Sequence, residues 1–227
     1  MPETHIPKLD DHEEVPAASP PRKGAHPARG RSLLKIGLEV VLISVGVFLG
    51  LAGEQWREDR RHHELAESSL RRLRTEIQTN RKAVAAVKDY HVKTYESLRA
   101  YFGKERKARN AADVHIQGLQ FVFFEETAWN LTLTTQALTY IDRDLAFALS
   151  RLYGEQRISS ELTRGMSQAM YMLSIPDNFD GFAAAAGTYY GDMVIQEPKL
   201  IEHYDEILPQ IDRALGERIG DRHASNQ

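Results

Sequence analysis

The chain has 227 residues, a formal net charge of -3 at pH 7 and no cysteine. That length fits one ordinary domain plus an anchoring segment, and the small net charge gives no general attraction to nucleic acid. The lack of cysteine excludes disulfides, thiolate metal sites and cysteine nucleophiles, so we expect one core, no nucleic-acid partner and no thiol chemistry.

Residues 1–32 are predicted to form a disordered tail. Six of the nine prolines fall in residues 1–30, where large apolar side chains are almost absent. Such a segment cannot bury enough apolar surface to offset the entropy lost on ordering. The bases of this region come late, close to the apolar segment that follows, and are Arg22, Lys23, Arg29, Arg31 and Lys35.

Residues 33–53 are predicted to form a transmembrane helix. They read LLKIGLEVVLISVGVFLGLAG, and about 20 apolar residues in a helix cross a bilayer core of roughly 30 Å. A buried core helix is the first alternative, but it would keep a polar stripe, whereas residues 40–53 contain only Ser44 as a polar side chain. A cleaved signal peptide is the second, with Ala52 and Gly53 near the cleavage point. The long segment before the apolar run argues against it.

The distribution of bases predicts the orientation of this helix. Five bases precede it closely and three follow it, at Arg57, Arg60 and Arg61, and lysine and arginine resist translocation. We therefore expect a cytoplasmic N-terminus and a C-terminal domain outside, which in a Gram-negative bacterium means an inner-membrane protein with a periplasmic domain. Trp56 lies where an aromatic residue would anchor the outer interface.

Two features inside the predicted span bear on its partners. Gly46 and Gly50 have the GxxxG spacing that lets membrane helices approach closely, although glycine is common in such helices. Glu39 is costly in hydrocarbon and would by itself indicate a function. Lys35 is four residues earlier on the same face, and we favour an interfacial ion pair between the two. The sequence predicts the lipid bilayer as a partner and leaves a homo-oligomer open.

Residues 54–103 are predicted to form a long helix with a heptad seam of about five repeats. The seam starts at Ala66 and continues through Leu70, Leu73, Ile77, Asn80, Val84, Val87, His91, Thr94, Leu98 and Tyr101. Its polar members, chiefly Asn80 and His91, favour a polar layer in a helical bundle over a long isolated zipper. His62 and His63 point about 100° apart on a helix, so no metal site is expected there.

Residues 104–219 are predicted to pack on the long helix, giving a bundle of four or five helices with a flexible end at residues 220–227. Residues 119–124 have strand propensity, but no partner strand appears, and a buried helix or loop is favoured. Three apolar residues, Trp129, Leu133 and Leu138, are expected to dock the next segment onto the long helix.

The end of the chain is predicted to contain three further helices. Asp142 is a plausible N-cap for a helix that runs towards Pro176. Residues 176–181 read PDNFDG, which is typical of a turn. A second helix is expected from Ala183, and a separate amphipathic one from Leu200, kinked at Pro209.

No catalytic or cofactor motif is present in the sequence. The serine-hydrolase elbow, the phosphate-binding loop, the HExxH zinc motif and the dinucleotide fingerprint are all missing. Acidic pairs such as Glu125 with Glu126 are neighbours of the kind found at any helix end. We therefore predict that the protein is not an enzyme and has no catalytic, cofactor-binding or metal-binding residues.

Three stretches resemble a family of uncharacterised bacterial single-pass membrane proteins. They are KIGLEVVLISVGVFLGLAGEQWREDRR, LRRLRTEIQTN and TAWNLTLTTQALTYI, within residues 31–155. The family commonly has paired asparagines around the first tryptophan, where this chain has Gly53, Glu54, Gln55 and Arg57 instead. The resemblance implies a membrane anchor and a bacterial origin, and it assigns no functional residue.

Two functions fit these patterns. The first is a membrane-anchored structural or protein-interaction module of the cell envelope, binding itself or an unknown envelope protein through the seam. The second is a sensor or small-ligand-binding helical domain that signals through a separate partner. A ligand pocket lined by Tyr140, Tyr171, Tyr189 or Tyr190 would favour the second function, and a solid core would favour the first.

Overall fold

The computed structural model describes the backbone of residues 29–172 and 178–224 and the side chains of residues 35–172 and 178–216. Within these ranges the protein is all-α, as predicted, with no strand. The four α-helices are α1 (Arg29–Phe102), α2 (Thr127–Thr134), α3 (Arg143–Met172) and α4 (Phe179–Ala224). The predicted tail lies almost entirely outside the described residues, and its last four residues, 29–32, belong to α1.

The chain divides into two compact units, Met1–Ala52 and Gly53–Gln227. In the described part of the first unit, the apolar side chains of α1 point into open space. An 18-residue window there has a mean hydropathy of 2.2, and none of that window is buried. A core helix with this composition would be covered by its own protein. By length and composition this segment could span a membrane.

The second unit is built around the predicted seam of α1, which is buried. Ala66, Leu70, Leu73, Ile77 and Val84 form one apolar cluster with side chains of α3 and α4. The α3 and α4 members of the cluster are Leu145, Leu149, Leu152, Tyr153, Leu200, Tyr204, Ile207, Ile211 and Leu215. Burying apolar area at about 25 cal/mol per Å² makes this contact the main stabilising force of the bundle.

Leu98 and Tyr101 continue the seam into a second apolar cluster. It contains Met166 of α3 and side chains of α4, among them Phe182, Tyr189 and Tyr190.

Two ion pairs also join α4 to α1 at the first cluster. The Arg74 Nε atom is 2.5 Å from the Asp212 Oδ1 atom, and the Arg81 Nε atom is 2.6 Å from the Asp205 Oδ1 atom. The two clusters and the ion pairs fix the register of α4 on α1.

The segment between α1 and α3 differs in part from its prediction. Residues 119–124 form a loop, which was one of the two structures favoured. Trp129 and Leu138 pack on the first cluster, but Leu133 is exposed, so its predicted docking role is wrong. Asp142 is confirmed as the N-cap of α3, because its Oδ1 atom accepts hydrogen bonds from the backbone N–H groups of Asp144 and Leu145.

The C-terminal helices differ most from their prediction. The two helices expected after residue 181 are one helix, α4, which contains both Pro198 and Pro209. Each proline removes one backbone hydrogen bond, and the packing of residues on both sides against α1 and α3 overrides that loss. Residues 176 and 177 of the predicted turn lie outside the described residues. Residues 179–181 belong to α4, and the Asn178 Oδ1 atom accepts a hydrogen bond from the Gly181 N–H at the start of this helix. The predicted flexible end is helical up to Ala224.

Candidate functional site

The predicted association face of the membrane segment has no covering group in the described chain. A Cβ atom added at Gly46 or Gly50 would meet no atom within 4 Å. Their apolar neighbours, such as Phe48 and Leu49, are exposed as well. The surface is therefore open to lipid or to another helix.

The charged residues of the predicted span are not joined in the structure. The ion pairs formed by the side chains of residues 35–172 and 178–216 do not include one between Lys35 and Glu39. Trp56, the predicted interface anchor, is 61% exposed, and the Arg60 guanidinium lies 5.8 Å from its ring centroid. A large exposed indole beside an arginine suits the boundary between hydrocarbon and water.

Asn80 is buried and holds the loop that precedes α2. Its Nδ2 group donates to the Glu125 carbonyl oxygen at 2.8 Å, and its Oδ1 atom accepts from the Glu125 N–H at 2.8 Å. The same Nδ2 group donates to the Gln156 Oε1 atom on α3 at 2.7 Å. The Asn80 side chain thereby bonds both backbone groups of Glu125, which have no backbone partner in this loop.

Glu76, one turn before Asn80, is a buried carboxylate that the sequence analysis missed. Its Oε2 atom accepts from the Ala128 N–H at 2.6 Å, and its Oε1 atom accepts from the Trp129 N–H at 3.2 Å and the Tyr153 hydroxyl at 2.7 Å. The two N–H groups belong to the first turn of α2, where a negative charge is favourable. Burial and the hydrogen bond to Glu76 raise the pKa of Tyr153 above its usual value.

His91 forms a second, separate polar cluster, so Asn80 and His91 do not share one layer. Its Nδ1 atom is 2.6 Å from the Glu197 Oε1 atom, and its Nε2 atom is 3.2 Å from the Gln120 carbonyl oxygen. The exposed fractions of the two side chains are 0% and 2%. Because a carbonyl only accepts, Nε2 carries a proton. The proton shared between Nδ1 and the Glu197 Oε1 atom then sits on one of these two atoms. In either case the histidine and the glutamate together carry no net charge, as burial requires.

The four candidate pocket tyrosines do not meet. Tyr189 and Tyr190 are core residues of the second apolar cluster, while Tyr171 is exposed and Tyr140 stacks on His62 with ring centroids 3.9 Å apart. Burial raises the pKa of Tyr189 to about 12 and raises that of Tyr190 above its usual value. These two tyrosines pack in the core, and no tyrosine-lined pocket joins the four.

Two open cavities lie elsewhere on the second unit. One, of about 480 Å³, lies beside the buried Glu76 and the start of α2, with Arg71 and Arg72 at its edge. The other, of about 520 Å³, lies between residues 122–126 and α3. Neither was visible in the sequence, because each joins residues that are far apart along the chain.

The part of the chain with described side chains contains no group of three or more His, Asp or Glu residues placed to hold a metal ion. No family model matches the sequence, and no curated protein and no solved structure matches it either. A helical bundle serves many roles, so the features of this chain that bear on function are the uncovered apolar segment, the buried polar clusters and the cavities.

Replacing Glu76 with glutamine is expected to destabilise the bundle. The Ala128 and Trp129 N–H groups and the Tyr153 hydroxyl are all donors, and an amide group would turn its own NH₂ towards one of them. We expect the free energy of unfolding in urea to fall by about 2 kcal/mol. The control is Glu64→Gln, an exposed glutamate on the same helix, with an expected change below about 0.5 kcal/mol. Equal effects of the two substitutions would contradict the assigned role of Glu76.

The buried tyrosines predict alkaline instability. In the unfolded chain tyrosine loses its proton near pH 10, whereas Tyr189 in the folded protein holds it to about pH 12. Between these values the folded state binds more protons, so the free energy of unfolding falls as the pH rises. Tyr189→Phe should reduce that slope by about one proton, or about 1.4 kcal/mol per pH unit. Urea unfolding between pH 10 and pH 12 measures it, with the exposed Tyr171→Phe as control, and an unchanged slope would refute the prediction.

Proposed function

We propose that the protein is a membrane-anchored structural or protein-interaction module of the bacterial cell envelope. The observation that carries this proposal is the apolar part of α1, whose side chains are uncovered within the described chain while α1 itself continues into a bundle. A lipid bilayer is the environment that such a surface requires. The proposed kinship with uncharacterised bacterial single-pass membrane proteins agrees with this layout.

The seam of α1 is not the surface for a partner. Its apolar side chains are buried by α3 and α4 of the same chain, so a second protein would have to unfold the bundle to reach them. The heptads predicted that the seam binds a partner. Because the seam is buried, an interaction surface elsewhere on the protein is favoured. Association is left to the outer faces of the bundle and to the membrane segment.

The membrane segment offers a face suited to a second copy of the chain. At about 100° per residue, Glu39, Gly46 and Gly50 fall within a sector of about 40° on the helix. Glycines allow two backbones to approach closely, and helix contact would also remove Glu39 from lipid. We propose a homo-oligomer that forms through this face, with an envelope protein as the further partner.

Topology is the first test of this proposal. Reporters active only in the cytoplasm or only outside it would be fused after Gln227 in the full chain. We expect the outside reporter to be active and the inside one silent, because more bases precede the apolar segment than follow it closely. Activity of the inside reporter alone would place the bundle in the cytoplasm and refute the envelope location.

Self-association is tested in lipid bilayers by crosslinking or energy transfer between full-length chains. Gly46→Ile with Gly50→Ile should weaken association by about tenfold, since the branched side chains hold the helices apart. Gly37→Ile is the matched control, because Gly37 lies about 180° from Gly46 on the helix and also faces open space. Wild-type monomers, or an equal effect of the control, would refute the glycine face as the contact.

The alternative function, a helical domain that binds a small ligand, has one specific observation in its favour. This observation is the cavity of about 520 Å³ beside α3. The four tyrosines that were predicted to line a ligand pocket do not support it. This cavity is compatible with a membrane anchor, because a bundle can bind a ligand and a protein partner on different faces.

A further inference from the structure

A cleft on the second unit has the size and the chemistry of a small-molecule site. Its volume of about 520 Å³ lies within the range of roughly 300 to 1,000 Å³ that ligand pockets occupy. One wall is the loop before α2 and the other is the middle of α3. The lining residues are Val122, Phe123, Phe124, Glu126, Arg157, Ser160, Glu161, Thr163, Arg164 and Ser167.

The charges of the cleft alternate along α3. Arg157, Glu161 and Arg164 lie on one side of the helix, at successive intervals of four and three residues. Although this spacing allows ion pairs, none of the three forms one in the structure, and neither does Glu126 on the opposite wall. All four charged groups are therefore available to a ligand, two of each sign.

The loop wall supplies an apolar surface. Phe123 is 77% exposed at the cleft, beside the buried Val122 and the half-buried Phe124. Its ring meets the ring of Phe121 edge to face, at 6.4 Å between centroids. Full burial of a phenylalanine side chain contributes about 1.5 to 3 kcal/mol of favourable free energy. Covering Phe123 with an apolar group of a ligand would therefore favour binding.

Three hydroxyl groups of α3 also line the cleft. Thr163 is buried, and its hydroxyl oxygen is 3.3 Å from the Tyr189 hydroxyl oxygen. Ser167 donates a hydrogen bond to the Thr163 carbonyl oxygen at 2.8 Å. Ser160 adds a third hydroxyl on the same helix. A ligand that entered would find hydroxyl groups as well as charges in the lining.

We propose that this cleft binds a zwitterion of the amino-acid or short-peptide class. The ligand carboxylate would bind the guanidinium groups of Arg157 and Arg164, the ammonium group would bind Glu161 or Glu126, and an apolar side chain would cover Phe123. An anion without a positive group would leave the two glutamates without a partner, and a cation without a negative group would leave the two arginines without one. A dipolar ligand satisfies both signs.

The spacing of the charges matches this class. Glu161 and Arg164 are three residues apart, a rise of about 4.5 Å along the helix. The termini of an extended dipeptide are about 7 Å apart, at about 3.5 Å per residue. The long side chains of the glutamate and the arginine can splay apart to span this difference. One ligand can therefore contact a glutamate and an arginine of α3 together. The inference concerns the second unit alone and requires neither the membrane anchor nor a protein partner.

The test is calorimetric titration of the full chain in lipid nanodiscs with the dipeptide alanyl-phenylalanine. Its N-acetylated form lacks the positive charge, and its C-amidated form lacks the negative one. We expect the dipeptide to bind with a dissociation constant below about 1 mM, and each modified form to bind at least about tenfold more weakly.

Variants of the protein identify the contacts. Arg164→Gln should weaken binding of the dipeptide by about tenfold and leave binding of the C-amidated form little affected, because that ligand already lacks the carboxylate that Arg164 would bind. Glu161→Gln should likewise weaken binding of the dipeptide and leave binding of the N-acetylated form little affected, because that form already lacks the ammonium group. The control is Arg143→Gln, an exposed arginine of α3 outside the cleft, which should bind like the wild type.

Three results would overturn the proposal. They are no binding at millimolar dipeptide, equal affinity for the three ligand forms, and equal effects of Arg164→Gln and Arg143→Gln. The substituted residues are exposed, so unchanged helical circular dichroism and melting temperature would show that the variants are folded. The reporter and crosslinking experiments have no bearing on these results, so failure of either inference leaves the other intact.

Discussion

Burial of one side of α1 by α3 and α4 is the contact on which the second unit depends. The apolar positions of the seam fall at intervals of four and three residues, so they lie along one side of a helix and require a cover. In this chain α3 and α4 provide that cover, and both apolar clusters contain side chains from all three helices. Every other feature of the bundle, including the loop before α2 and the cleft, is placed by this contact.

The polar groups inside the bundle give that contact its register. Glu76, Asn80 and His91 all project from the seam side of α1, and each binds a partner far away in the sequence. A buried polar group that loses its partner costs free energy, so a shift of α2, of the loop or of α4 along α1 would break several of these hydrogen bonds at once. Apolar packing alone would tolerate such a shift more easily. The three residues therefore select one arrangement among several that would bury similar apolar area.

The same packing decides which surfaces are left for function. With its seam covered, the bundle can meet other molecules only through its exterior, and the apolar segment of the first unit, which is long and apolar enough to span a membrane, is uncovered within the described residues. The charged cleft beside α3 is one part of that exterior with polar groups of both signs and an exposed aromatic ring. The apolar segment and the charged cleft are chemically unlike, so they suit different kinds of contact.

The sequence by itself determined the features that depend on local periodicity and composition. These are the all-α class, the apolar segment, the buried seam, the end of α1 and the N-cap at Asp142, and each is encoded within a few turns of chain. Tertiary structure decided what depends on distant residues. No local pattern marks Glu76 as buried, because its partners Trp129 and Tyr153 lie 53 and 77 residues away in the sequence. Glu197 likewise lies 106 residues from His91. The sequence predicted one helix from Ala183 and another from Leu200 with a kink at Pro209, whereas packing on both sides keeps α4 continuous through Pro198 and Pro209. The cleft likewise exists only because folding brings residues 122–126 against α3, a pairing that no local pattern records.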